Sequence, residues 1–414
     1  MKSKVGILSL GCPRNLVDSE NIMGRLAHKG YSIVDIENAD IAIVNTCAFI
    51  DEAKAESVEA ILELIDLKKR GKLKKVLVYG CLSQRYKNEL PRELSEIDAF
   101  VGKVSLESSL DRFGLTPKHY AYLKICEGCI NNCSFCIIHK IKGKFCSVDM
   151  DSLIEKVGVL DKEGVSELNI IGQDISGYGL DLYGAKKLPE LIKKISSHVK
   201  RIKWLRLLYL YPARVDTELL RLIKDDSKVC KYIDLPLQHI NDRILKLMNR
   251  GITQKSILNL IAKIRKILPE SAIRTSIIVG FPSETEDEFN QLLEFIRQTK
   301  FERLGAFIYS PEEGTAAYSF KKQIPEKIKR ERFNALMSLQ QEISAGNNSR
   351  LMGKTIDVII DQKENDYYLG RSQYDAPEVD GVVYVNSRQN LSAGDIVKVK
   401  INDTLEYDLR GEAA

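Results

Sequence analysis

The alternation of apolar and polar positions changes rhythm twice along the 414 residues. Up to about residue 105, short apolar runs alternate with amphipathic stretches. Lys4 to Leu10, Ile41 to Val44 and Val76 to Tyr79 read as buried strands. A helix follows the first, with Asp18, Glu20 and Asn21 in its first turn and Leu16, Ile22, Met23 and Leu26 on its apolar face; another runs from Asp51 to about Lys69. Strand alternating with helix predicts a parallel sheet covered by helices. From about 115 to 345 the same alternation continues. Six strands are expected, at Ala121–Ile125, Glu167–Ile171, Trp204–Leu210, Tyr232–Leu237, Ile273–Val279 and Leu304–Tyr309. Six strand–helix units suggest an incomplete parallel (βα)6 barrel, whose site would lie at the carboxyl ends of the strands. Ile324 to Ala345 reads as a long helix ended by Gly346-Asn347-Asn348-Ser349, a domain boundary. Past residue 350 the period falls to two, as in Ile396-Val397-Lys398-Val399-Lys400-Ile401. Five short strands, Lys354–Ile360, Tyr367–Arg371, Val382–Asn386, Asp395–Ile401 and Leu405–Leu409, predict a small β-barrel of the oligonucleotide-binding type. The chain is therefore expected to be α/β overall, in three domains: 1–105, 115–345 and 350–414.

Composition narrows this little. Apolar residues make up 44% and the net charge is +5, enough for a buried core and too mild to indicate a nucleic-acid binder. No apolar run is long enough for a signal peptide or a membrane span, so a cytoplasmic protein without membrane contact is expected. Nine cysteines in that compartment point to metal binding or catalysis rather than disulfides.

Six of those cysteines carry a pattern. Cys129, Cys133 and Cys136 lie in one octet with spacing x3 then x2. Thiolate-rich sites select zinc or iron–sulfur clusters. Such a loop would hold three irons of a cube-shaped cluster and leave the fourth open. Zinc, or a closed site that also uses Cys126, is the alternative. Cys12, Cys47 and Cys81 each end one of the first three strands, 35 and 34 residues apart. Parallel strands bring their carboxyl ends to one edge. These three can thus converge on a second cluster; three separate buried cysteines are the plainer reading.

The octet Cys129-Ile130-Asn131-Asn132-Cys133-Ser134-Phe135-Cys136 resembles the signature of radical S-adenosylmethionine (SAM) enzymes, with Phe135 in the aromatic position. Ser9-Leu10-Gly11-Cys12-Pro13-Arg14-Asn15-Leu16-Val17-Asp18-Ser19-Glu20, Val44-Asn45-Thr46-Cys47 and Tyr79-Gly80-Cys81-Leu82 resemble the methylthiotransferases within that superfamily. The end domain resembles their TRAM domain. The loop Gly370 to Gly381 and the stretch Cys12 to Glu20 resemble the RimO-type branch, which modifies an aspartate of small-subunit ribosomal protein S-twelve. The resemblance implies two 4Fe–4S clusters, an auxiliary one on Cys12, Cys47 and Cys81 and a radical one on Cys129, Cys133 and Cys136. It further implies two uses of SAM: one methylates sulfur at the auxiliary cluster, and one yields a 5′-deoxyadenosyl radical that removes a hydrogen from the substrate. The implied partners are S-twelve and a reducing electron-donor protein.

Around SAM the same resemblance implicates Phe135, the strand end Gly172-Gln173-Asp174, Gln238, Arg274 (for the SAM carboxylate) and Tyr309 (near adenine). A plain glycine-rich turn remains open for the strand end, as does a structural role for His239. Ser283 with Glu286 reads as a capping box. Cys126 and His139 depart from the family pattern, Cys146 is extra, and Cys230 reads as core. Lys140, Lys142 and Lys144 read by default as solvated charge, with contact to SAM or an acidic substrate as the sharper reading. From Arg350 on, eight Lys/Arg face twelve Asp/Glu, a net −4. That disfavours a phosphate backbone and favours a basic protein, with Asp375, Glu378 and Asp380 as expected recognition residues. The same chemistry on an adenosine of transfer RNA is the alternative. A non-catalytic ribosome-binding iron–sulfur redox sensor is a remote one.

Overall fold

A computed structural model describes residues 3–102 and 110–413; the boundary expected near 105 lies outside them. The first domain is a five-stranded sheet. Three strands are those of the sequence reading, β1 (Lys4–Ser9), β3 (Ile41–Thr46) and β4 (Lys75–Gly80). Two short edge strands, β2 (Ser32–Ile33) and β5 (Ala99–Val101), complete it. All pairs are parallel, in the order β2-β1-β3-β4-β5. Helix α1 spans Pro13–His28 and starts earlier than its charges suggested, because Cys12 occupies the N-cap and Pro13 opens the helix. Asp18, Glu20 and Asn21 are therefore mid-helix. Glu20 is buried and accepts two hydrogen bonds from Arg112, both 2.8 Å.

The central strands are β6 (Tyr120–Lys124), β9 (Glu167–Ile171), β10 (Trp204–Leu207), β11 (Tyr232–Asp234), β12 (Ala272–Val279) and β13 (Arg303–Ile308). They form two parallel sheets, β10-β9-β6 and β11-β12-β13, joined by a parallel bridge between Leu205 and Val229. A two-stranded ribbon, β7 (Cys126–Glu127) with β8 (Cys146–Ser147), flanks the cysteine loop. The end domain is a closed barrel of β14 (Thr355–Glu364), β15 (Tyr367–Ser372), β16 (Val383–Asn386), β17 (Ile396–Thr404) and β18 (Leu409–Ala413). Its last strand begins where the expected one ended, since β17 runs on to Thr404 and Leu405 turns back by a bond to the Asp408 carbonyl, 2.9 Å. The helix expected to stop at Gly346-Asn347-Asn348-Ser349 runs from Glu326 through that tetrad and ends on its last residue, Ser349. The Asn347 amide binds the carbonyls of Lys300 and Phe301, and the Asn348 amide those of Leu405 and Glu406. Tertiary hydrogen bonds use the residues that sequence reads as a terminator. The cap of the helix Glu286–Thr299 is likewise Thr285 with Glu288, not Ser283 with Glu286.

The end barrel is fastened to the amino ends of the central strands. Arg371 pairs with Glu167 at 2.7 Å and with Asp361 at 2.9 Å, and Glu167 also takes Arg206 at 2.8 Å. Asp375 accepts from Arg303 at 2.8 Å, Asp380 accepts from the Tyr232 hydroxyl at 2.6 Å, and Glu378 from that of Tyr120 at 2.8 Å. Arg274 lies between Asp234 (3.1 Å) and Asp380 (3.5 Å). This corrects two expectations. Asp375 and Asp380 do not form an open acidic surface, because the buried Arg303 and the half-buried Arg274 take their charge; of the three, only Glu378 keeps an exposed position. Arg274 is held in this layer near the start of β12, so it is not placed at the strand ends where a SAM carboxylate was expected.

Candidate active site

The carboxyl ends of β1, β3 and β4 carry Cys12, Cys47 and Cys81. Two glycines let the strand ends close on one another. Gly11 has φ +85°, and a Cβ there would stand 2.8 Å from the Cys47 Cβ; Gly80 has φ +103°, and a Cβ would stand 2.4 Å from Asn45 Oδ1. Asn15 sits at the centre. Its amide nitrogen donates to the carbonyls of Leu10 (3.1 Å) and Thr46 (3.2 Å), and its oxygen lies 3.8 Å from the Cys81 sulfur. The three thiols are near enough to repel one another's ionisation. Burial pushes Cys81 up to about 12 and raises Cys47. Burial opposes ionisation of Cys12 too, yet the Arg14 charge, with the Asn15 N–H and Lys142, brings it below its ordinary value.

The second triad lies in the loop after β7. Ser134 pins the loop by its N–H to the Met248 carbonyl (3.0 Å) and its hydroxyl to that of Leu247 (2.7 Å). Asn131 donates toward the Cys129 sulfur at 3.6 Å and to Asp174 at 2.8 Å, and Arg250 toward the Cys133 sulfur at 3.4 Å. Burial pushes Cys136 up to about 12. Just past it, Ile137 and Ile141 pack into the first domain's core with Ala48, Cys81 and Leu82. The two triads are thereby brought to one junction. Four charged groups seal it: Lys124 pairs with Asp18 and, at 2.6 Å, with Glu127, and Lys142 lies 3.3 Å from Asp18 and 3.7 Å from Glu127. Lys142 is buried, against its default reading as solvated charge.

The donor sets fit iron–sulfur clusters. Each is three thiols from the end of strand or loop, with no imidazole among them, and a bound metal deprotonates thiols whose ionisation burial opposes, as at Cys47, Cys81, Cys129 and Cys136. Among the described residues no group of His, Cys, Asp or Glu is arranged to hold a single metal ion. Cys126 does not join the loop triad: its sulfur faces the core and the Asp174 carbonyl, 3.7 Å away. Cys230 is core, as expected, and Cys146 is exposed.

Of the residues expected around SAM, the structure gathers several at the strand ends. Gln173 donates to Glu127 at 2.7 Å, and Asp174 takes Arg214 at 2.6 Å besides Asn131. Gly172 offers its carbonyl to Arg14 at 2.9 Å and has no room for a Cβ, which would stand 2.4 Å from the Cys126 sulfur. Gln238 follows β11 with φ +75°. Tyr309 is buried in a cluster with Phe281, ring centroids 5.3 Å apart, against which Phe135 packs. His239 is fully buried, its Nε2 3.0 Å from Glu284, which fits the structural reading. Sequence reasoning missed Arg14 and Arg250 as site cations and met Lys142 only within a basic run. Arg14 left a trace as a cation two residues from an expected thiolate.

A radical SAM protein is the class that a six-stranded parallel half-barrel with a C-x3-C-x2-C loop defines, and residues 123–296 match the Radical SAM superfamily. Residues 4–102 match the uncharacterized protein family UPF0004 and 352–414 the TRAM domain. Over 99% of its length the chain is 45% identical to the ribosomal protein uS12 methylthiotransferase RimO of Clostridioides difficile (strain 630), covering 98% of that protein. It is 46% identical to the protein of the same name from Thermoanaerobacter sp. (strain X514), over 99% of each. The chain belongs to the RimO family of methylthiotransferases. Among solved structures, the radical SAM methyltransferase TsrM from Kitasatospora setae shares the fold with a TM-score of 0.55 at 12% identity, covering 89% of this chain and 81% of that one. No described helix is long and apolar enough to cross a membrane.

Proposed function

We propose that the chain adds a methylthio group to the β-carbon of an aspartate in ribosomal protein uS12, in the cytoplasm, with electrons from a reducing partner protein. In this reading Cys129, Cys133 and Cys136 hold the radical 4Fe–4S cluster, and Cys12, Cys47 and Cys81 the auxiliary one. Residues 1–105, 115–345 and 350–414 are the auxiliary-cluster, radical and TRAM-like domains. When bound, the clusters and SAM supply the hydrogen-abstracting radical and carry the sulfur. The protein's part is placement. Asn131 and Arg250 aim N–H groups at Cys129 and Cys133. Gln173 and Asp174, each fixed by its own hydrogen bonds, border the junction, and Phe135 packs against the cluster of Phe281 and Tyr309. The observation that supports the reading is the packing of Ile137 and Ile141, just past Cys136, into the core around Cys81.

Anaerobically reconstituted protein should carry about eight irons, four per cluster, and should add a methylthio group to uS12, seen by mass spectrometry. Cys133→Ala should end SAM cleavage. The triple Ala variant of Cys12, Cys47 and Cys81 should keep about half the iron and cleave SAM without transferring sulfur. Methylthio-adenosine in transfer RNA, with uS12 untouched, would overturn the substrate.

A further inference from the structure

Arg14 leaves the first turn of α1 two residues after Cys12 and reaches into the other domain. One N–H donates to the Gly172 carbonyl at 2.9 Å, and the guanidinium lies 4.6 Å from the centre of the Tyr209 ring. Its charge acts on Cys12 in one triad and on Cys136 in the other. The neighbouring carboxylates have cations of their own, Asp174 through Arg214, and Asp18 and Glu127 through Lys124 and Lys142. Among the described residues no Asp or Glu forms an ion pair with Arg14. A guanidinium has five donors in a planar fork; the Gly172 carbonyl takes one and Cys12 another, which leaves donors for a further acceptor.

The reaction creates a charge problem at this junction. Loaded with metal, both triads are thiolates. A substrate aspartate entering between them brings a further negative charge into a confined site, which is costly unless a cation meets it. The planar fork that suits a carboxylate is already positioned there. We propose that Arg14 takes the carboxylate of the substrate aspartate, turns its β-carbon toward the space between the triads, and so sets the choice of aspartate over its neutral isostere. The inference rests on the methylthiotransferase reading.

The test uses the full-length reconstituted protein, SAM, and two fluorescent peptides, one carrying the uS12 aspartate in its native sequence and one with asparagine in its place. Binding is read by anisotropy and product by mass spectrometry. The wild type should prefer the aspartate peptide by about tenfold or more, the scale of a charge-assisted pair. Arg14→Gln should remove that preference while iron content stays full, and Arg14→Lys should restore part of it. Tyr209→Leu, which removes the aromatic face and leaves the cation, should keep the preference. A role confined to clamping the domains predicts that Arg14→Gln weakens both peptides equally with the preference intact, and that result would overturn the inference. Loss of SAM binding with an unchanged preference would also overturn it, assigning the guanidinium to the SAM carboxylate. If the wild type modifies neither peptide nor uS12, the proposed function itself fails, before any Arg14 variant is made.

Discussion

Arg250 holds its guanidinium between the Cys133 sulfur, 3.4 Å away, the Pro236 carbonyl and the face of Tyr211. A cation beside a cluster ligand favours the reduced, more negative state. Arg250→Gln should therefore lower the potential of the radical cluster, on the order of tens of millivolts, in an EPR-monitored titration of protein lacking Cys12, Cys47 and Cys81. Glu127 gives a pH signature. Burial opposes its charge, but Lys124 and Lys142 hold it at about 2 against an ordinary 4.5. A depressed carboxyl stabilises the fold above its unfolded value. Its contribution is thus complete above about pH 4.5 and lost as pH falls through 2. Glu127→Gln should flatten unfolding free energy against pH in that window. Neither residue was legible beforehand. The thiols advertise themselves by spacing, whereas a buried cation looks like any surface cation until its partners are known.

At the scale of elements, strand–helix alternation was enough to reveal the parallel sheets, because a half-buried strand and an amphipathic helix write different periods. The termini were less legible. Helix α1 begins at Pro13 although its acids lie later, since Asn15, Ser19 and Glu20 face a polar interior rather than solvent. Edge strands as short as Ser32–Ile33 leave no period to read. The strand-to-helix turns at Gly11 and Gly80 are where geometry is tightest. Gly80→Ala would force a side chain into φ +103° and against Asn45. We expect a loss of about 1–3 kcal/mol in denaturant unfolding, and a fall in iron to about half from the auxiliary triad alone.

For the whole molecule, three domains were legible from three rhythms, but their docking was not. Asp375 and Asp380 read as free acids because a sequence shows charge without its counter-charge. In the fold Arg303 and Arg274 face them. Asp375→Asn should cost about 3–5 kcal/mol in urea unfolding, the scale for stranding a buried cation, whereas Glu378→Gln, at an exposed position, should cost less than about 1 kcal/mol. The same docking has a consequence for traffic. With the end barrel seated on the amino ends of β6, β9, β10, β11, β12 and β13 through Tyr120, Glu167, Arg206, Tyr232, Arg274 and Arg303, that end is covered save for a cleft lined by Cys12, Thr116 and Glu378. Under the proposed function, SAM and the ribosomal protein would then meet at the carboxyl ends, beside the first domain. A substrate seated there would detain the cleaved nucleoside behind it, so the order of arrival and release would govern turnover.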